Sequence, residues 1–160
     1  DWGWTRYPQF KTTARIIAML SEIVAKGGSL VLGVGPSPEG LIDDNNVARL
    51  EEIGKWLDKN GEAIYETVIT EVYTNEARDL WFTASKDGKH IYAIVPKKDG
   101  EPMPKSVSWL GNVPAKGSKV VMLDTGKSLK YSTDKDGRTT VTLPAGLDNC
   151  NGVALKLCVK

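Results

Sequence analysis

Lys26-Gly27-Gly28-Ser29-Leu30-Val31-Leu32-Gly33-Val34-Gly35-Pro36 is the stretch on which the fold of this 160-residue chain turns. Its centre, Leu30 to Val34, is short and nearly all apolar, and a strand apolar on both faces belongs in a parallel sheet covered on both sides. Gly27-Gly28 before it supplies the left-handed conformation that ends a helix. Gly35-Pro36-Ser37-Pro38-Glu39-Gly40 after it is a loop whose prolines and glycines forbid regular structure. Working upstream, Ile16, Ile17, Leu20, Ile23 and Val24 fall at the spacing of one buried helical face between Thr12 and Lys26. Downstream, Asp43 or Asp44 caps a second helix with the face Val47, Leu50, Ile53 and Leu57, a Glu51–Lys55 pair one turn apart, and a stop at Asn60-Gly61. The order is helix, buried strand, irregular loop, helix. One buried strand makes no sheet, so neighbouring strands are expected from outside these residues, and the start at Asp1 reads as a cut inside a longer protein.

From about Leu80 the pattern changes to period two. Leu80–Ala84 and His90–Val95 flank Lys86-Asp87-Gly88, a hairpin signal. Val107–Leu110, Lys119–Leu123, Leu129–Tyr131, Thr139–Leu143 and Val153–Val159 are further short strands, and Asp134-Lys135-Asp136-Gly137 makes a second hairpin turn. About seven short strands with turns between them predict an antiparallel sandwich, with Trp81, Tyr92 and Trp109 packed into one inter-sheet core. The fold class is therefore α/β followed by all-β, divided at residues 1–70 and 71–160.

Lys and Arg number 21 against 20 Asp and Glu, a formal net charge of +1, which gives no electrostatic reason to expect nucleic acid or an anionic membrane as partner. No apolar run approaches the roughly 20 residues of a membrane-spanning helix. Gly33-Val34-Gly35 lacks the third glycine and the following helix of a dinucleotide site. The two aspartates of Asp134-Lys135-Asp136-Gly137 lack the downstream ligands of a calcium loop. His90, the single histidine, sits in a strand pattern without a nucleophile or carboxylate constellation. No cofactor and no metal are expected. Cys150 and Cys158 match no zinc or redox spacing, and spacing alone leaves thiols and a disulfide both open.

Asp1-Trp2-Gly3-Trp4-Thr5-Arg6-Tyr7 carries three large rings in seven residues, interrupted by Gly3 and followed by Pro8. Such rings serve as platforms for the apolar faces of sugars, and equally as ordinary core or interface residues.

Trp2-Gly3-Trp4 followed by a helix, the Lys26–Gly40 stretch, Ile53-Gly54-Lys55-Trp56-Leu57, and Asn60-Gly61-Glu62-Ala63-Ile64-Tyr65 together resemble the α-L-fucosidases of glycoside hydrolase family 29. The likeness runs in order over about the first 65 residues, and Leu80–Thr83 with Ile91–Ile94 resembles the first hairpin of that family's C-terminal β-domain. Departures are Trp4 where the family usually has Tyr, Gly33 and Ser29 where Asn is frequent, and Glu39 where Asp is frequent. The resemblance implies that residues 1–70 are the last βα units of a (β/α)8-like catalytic barrel and residues 71–160 an antiparallel β-sandwich. It implies a retaining exo-hydrolase of terminal α-L-fucose, acting on fucosylated glycans through two carboxyl groups. Those carboxyls lie on earlier barrel strands, so no residue here is assigned a catalytic role, and the chain alone is expected to be inactive without the upstream barrel segment. Glu39 lies on the loop after a barrel strand, the face where barrel active sites sit, but it does not match the acid/base position. Trp2 matches the aromatic that lines the fucose pocket near the C6 methyl, and Trp4 is a second substrate-binding candidate. Family habit implies a secreted, periplasmic or lysosomal protein. The competing reading is a non-catalytic carbohydrate-binding or structural β-module with a helical leader. A buried parallel-type strand between two amphipathic helices has no use there.

Overall fold

A computed structural model describes residues 3–159. Two helices come first. Helix α1 spans Thr13–Ala25 and is capped by Thr12, whose hydroxyl oxygen accepts from the Arg15 amide at 3.1 Å. It closes as Gly27-Gly28 predicts: Gly27 takes φ +80°, and the Gly28 amide returns to the Ile23 carbonyl at 2.8 Å. Helix α2 spans Asp44–Asn60, with the Asp43 carboxylate accepting from the Asn45 amide at 2.8 Å. A short 3₁₀ turn, Gly61–Ala63, follows.

Among the described residues nine strands come next: β1 Thr67–Val68, β2 Trp81–Ser85, β3 His90–Pro96, β4 Ser106–Leu110, β5 Val120–Met122, β6 Lys127–Leu129, β7 Tyr131–Thr133, β8 Arg138–Thr142 and β9 Gly152–Cys158. They form a six-stranded sheet ordered β1-β2-β3-β9-β5-β6 and a three-stranded sheet ordered β4-β8-β7. Every pairing within them is antiparallel. Both predicted hairpins are present. Asp87 organises the first by accepting from Ser85 and the Lys89 amide, which draws its carboxyl down to about 2. Asp134 organises the second by accepting from the Asp136 and Arg138 amides.

The layers are helices, large sheet, small sheet. Phe82, Ala93, Val95, Trp109, Val120, Val141, Val153, Leu155 and Leu157 fill the space between the sheets, with Phe82 and Trp109 edge to face at a 5.5 Å centroid separation. On the other face of the large sheet, Ile17, Trp56, Ala63 and Ile64 pack against Tyr92, Ile94 and Ala154.

Four expectations change. Trp81, Tyr92 and Trp109 do not share one core. Only Trp109 lies between the sheets, while Tyr92 faces the helices and Trp81 lies beneath the Lys26 ammonium, 5.3 Å from its ring centroid. Alternation sends neighbours to opposite faces, and here both faces of β2 and β3 are covered. The predicted strand Leu129–Tyr131 is two strands in different sheets, because the chain crosses from one layer to the other at Lys130. The buried face of α2 is Ile53, Trp56 and Asn60, whereas Val47 and Leu50 are exposed, since only its last two turns reach the sheet. Finally, Leu30–Val34 forms no ladder with any described strand. Val31 is 88% exposed and Leu32 is exposed as well. No described strand lies beside this segment to satisfy its backbone or cover its side chains.

Candidate functional site

The Asn60–Tyr65 phrase holds the helices to the large sheet. Asn60, 2% exposed, accepts from the Ala154 amide at 3.0 Å and donates to the Trp56 carbonyl at 3.2 Å. The Trp56 indole donates to the Gly152 carbonyl at 2.9 Å, and Thr83 donates to the Ala63 carbonyl at 2.7 Å. Glu62 accepts from Tyr92 at 2.9 Å and from Lys156 at 2.6 Å. Burial pushes the Glu62 carboxyl up, but the hydrogen bonds from Lys156 and Tyr92, with the charge on Lys156, outweigh it and hold the group below its ordinary range. Burial and the Glu62 charge both push the Tyr92 hydroxyl well above its usual value. Each of these groups is consumed by the interface, which leaves this cluster a structural role.

The aromatic segment and the loop after Leu30–Val34 come together at the other end of the helices. Trp2 lies outside the described residues. Trp4 is 48% exposed and Tyr7 is 85% exposed, so neither ring belongs to either hydrophobic core. A β-carbon built on Gly35 would stand 2.4 Å from both the Gly3 carbonyl carbon and the Trp4 nitrogen. The backbone of the aromatic segment therefore lies directly on the Gly35 backbone. The signal for this was the Gly33-Val34-Gly35-Pro36 run itself, whose second glycine marks a close backbone approach to another chain segment. Beyond Gly35 the loop is self-organised. The Ser37 amide donates to the Leu41 carbonyl and the Gly40 amide to the Ser37 carbonyl, each at 2.8 Å, while the Ser37 hydroxyl oxygen accepts from the Glu39 and Leu41 amides at 3.3 Å.

Glu39 is exposed on this loop, and the adjacent Ser37 hydroxyl, helped by its own backbone amide, holds its carboxyl below the ordinary value. A general acid in glycoside hydrolysis needs the opposite, a carboxyl kept protonated by an apolar or anionic setting. His90 is a half-buried strand residue paired across to Cys158, and the Cys150 and Cys158 thiols are half-buried. No group of three or more His, Cys, Asp or Glu that could hold a metal occurs among the described residues. No described helix is long and apolar enough to cross a membrane. A groove of about 930 Å³ opens between the sheets, but its lining runs from Asn75 to Asp148 and takes nothing from the aromatic segment or the Gly33–Gly40 loop.

The family model for α-L-fucosidase matches residues 1–62. Among curated proteins, the plasma α-L-fucosidase of Rattus norvegicus is 30% identical over 155 residues, covering 90% of this chain and 32% of that protein. The tissue α-L-fucosidase of Bos taurus is 34% identical over 141 residues, covering 86% of this chain and 29% of that protein. The chain thus spans about a third of the length of the relatives it matches. Among solved structures, the α-fucosidase of Thermotoga maritima in complex with fucose superposes with a TM-score of 0.77 at 26% identity, over 98% of this chain and 37% of that one. A glycoside hydrolase family 29 α-L-fucosidase from Bacteroides thetaiotaomicron shares the fold with a TM-score of 0.80 at 21% identity, over 99% of this chain and 35% of that one. Two layers of antiparallel sheet backed by two helices, an aromatic segment seated on a glycine loop, and these matches along nearly the whole chain agree: the chain belongs to the α-L-fucosidase family and corresponds to its C-terminal portion.

Proposed function

We propose that this chain is the C-terminal part of a retaining exo-α-L-fucosidase that removes terminal α-L-fucose from glycoconjugates. In this reading residues 1–70 complete a (β/α)8-like barrel whose other strands lie beyond this chain, and residues 71–160 are an antiparallel β-sandwich that buttresses it. One observation carries the reading. Leu30–Val34 is an apolar segment that follows one helix and precedes another in sequence, and its Val31 and Leu32 are exposed, as are Leu41, Val47 and Leu50 after it. A segment of that composition is stable only once strands pair with it on both sides and helices cover it, which is what a barrel supplies. A freestanding carbohydrate-binding module has no such requirement.

The division of labour follows from the family resemblance. Retaining hydrolysis needs a nucleophilic carboxylate and an acid/base carboxyl about 5 Å apart. Glu39 is exposed with a lowered carboxyl, and Glu62 is tied to Tyr92 and Lys156. The resemblance to family 29 places both reacting carboxyls on earlier barrel strands, and they are assigned to the rest of the protein. This chain contributes walls: Trp2 and Trp4 would border the sugar, presenting apolar ring surface to the C5–C6 edge of fucose. The compartment consistent with fucosylated glycan substrates is extracellular, periplasmic or lysosomal.

The test is hydrolysis of nitrophenyl α-L-fucoside by the full-length protein, with the anomer of the first-formed fucose followed by NMR. Release of α-fucose supports the reading. Initial β-fucose, or no hydrolysis of any α-L-fucoside, overturns it.

A further inference from the structure

We infer that Gly35 is a positioning residue: its missing side chain lets the Gly3–Trp4 backbone lie on the loop after Leu30–Val34 and so decides where the Trp4 ring stands at the rim of the sugar site. The inference rests on the proposed fucosidase reading and adds to it a residue that touches no sugar.

The geometry is specific to this glycine. A β-carbon on Gly35 would meet the Gly3 carbonyl carbon and the Trp4 nitrogen at 2.4 Å, and the Gly3 α-carbon at 2.9 Å. All three are backbone atoms, so no side-chain rotation relieves the overlap; the segment itself must move. Gly33, two residues earlier in the Leu30–Val34 segment, has nothing within 4 Å of a built β-carbon among the described residues. The loop is also poorly placed to yield. Pro36 follows Gly35 with a fixed φ, and the Ser37–Leu41 hydrogen bonds close the turn behind it. The aromatic segment is the weaker partner. Its Trp4 and Tyr7 rings are exposed, and it is tied down only near α1, where the Lys11 carbonyl accepts from Arg49 at 3.1 Å and Thr12 accepts from Arg15 and donates to Asp99. Added bulk at Gly35 should therefore displace Trp4 rather than the loop.

The test is a double-mutant cycle in the full-length protein, with kcat and KM for a nitrophenyl α-L-fucoside and a thermal midpoint for each variant. Gly35→Ala should lower kcat/KM by about ten- to a hundredfold, the scale of an ångström-sized misplacement, with the midpoint nearly unchanged. In a Trp4→Ala background Gly35→Ala should add little further loss, because the ring it displaces is gone. Full additivity of the two losses, or a Gly35→Ala protein that fails to fold, overturns the inference and makes Gly35 a general packing requirement. If Trp4→Ala itself leaves the kinetics untouched, the assignment of Trp4 to the sugar site falls instead. A Trp4→Ala effect without a Gly35→Ala effect sinks the Gly35 inference alone.

Discussion

The Asn60 carboxamide oxygen accepts the backbone amide proton of Ala154 at 3.0 Å, joining the last residue of α2 to the middle strand of the large sheet across 94 residues of sequence. Both partners are buried, and the Asn60 amide group is used as well, on the Trp56 carbonyl. Asn60→Ala would strand a buried amide in β9, a loss of about 1–3 kcal/mol. Urea denaturation of the full-length protein should show that loss, with kcat/KM well below the transition little altered. A loss under about 0.5 kcal/mol would mean that water replaces the carboxamide.

Gly152 begins β9 opposite Pro96, at φ +127°. A β-carbon there would sit 2.8 Å from the Val95 carbonyl oxygen, and the same residue's carbonyl receives the Trp56 indole N–H. Gly152→Ala should cost at least about 2 kcal/mol through strain and displaced backbone. Gly54→Ala, on the open side of α2 with nothing within 4 Å of its β-carbon, should stabilise by up to about 1 kcal/mol. Equal midpoints for the two variants would contradict the geometry.

The Glu62 carboxyl titrates below its ordinary value of 4.5 because Lys156 and Tyr92 bind its charged form against the opposing effect of burial. A depressed carboxyl contributes stability above its unfolded value and loses it as pH falls through the folded one. The wild type should therefore exceed Glu62→Gln in stability at pH 7, by no more than about 1 kcal/mol for so exposed a pair. The gap should close as pH drops below 4.5. A gap unchanged between pH 7 and pH 3 would assign the effect to packing.

Trp2→Ala in the full-length protein should lower kcat/KM for fucosides by one to two orders of magnitude. Losing an aromatic wall is worth about 2–3 kcal/mol, and each 1.4 kcal/mol is about tenfold. The thermal midpoint should hold. Unchanged kinetics with a large fall in midpoint would make the ring an ordinary packing residue.

The purified 160-residue chain should release no nitrophenol from nitrophenyl α-L-fucoside, because neither reacting carboxyl is assigned to it. Measurable turnover by a preparation free of contaminating fucosidase would refute that assignment.

Much of this fold was legible locally, wherever short-range chemistry decides the outcome. Thr12 and Asp43 cap, Gly27-Gly28 closes, and the Asp87 and Asp134 turns make hairpins, because in each case the partner groups lie within five residues. The fucosidase likeness was likewise carried by contiguous phrases. Tertiary structure alone decided which layer each apolar face meets. Period two separates the two faces of a strand, but in a sheet covered on both sides it does not say that Phe82 and Trp109 face one layer while Tyr92 faces the other. It does not reveal that Lys130 carries the chain between sheets, or that Asn60 and Trp56 rather than Val47 and Leu50 anchor α2. The seat of Trp4 on Gly35 is of the same kind: it depends on two segments about thirty residues apart, and a glycine in a sequence shows room for a close approach without showing what approaches.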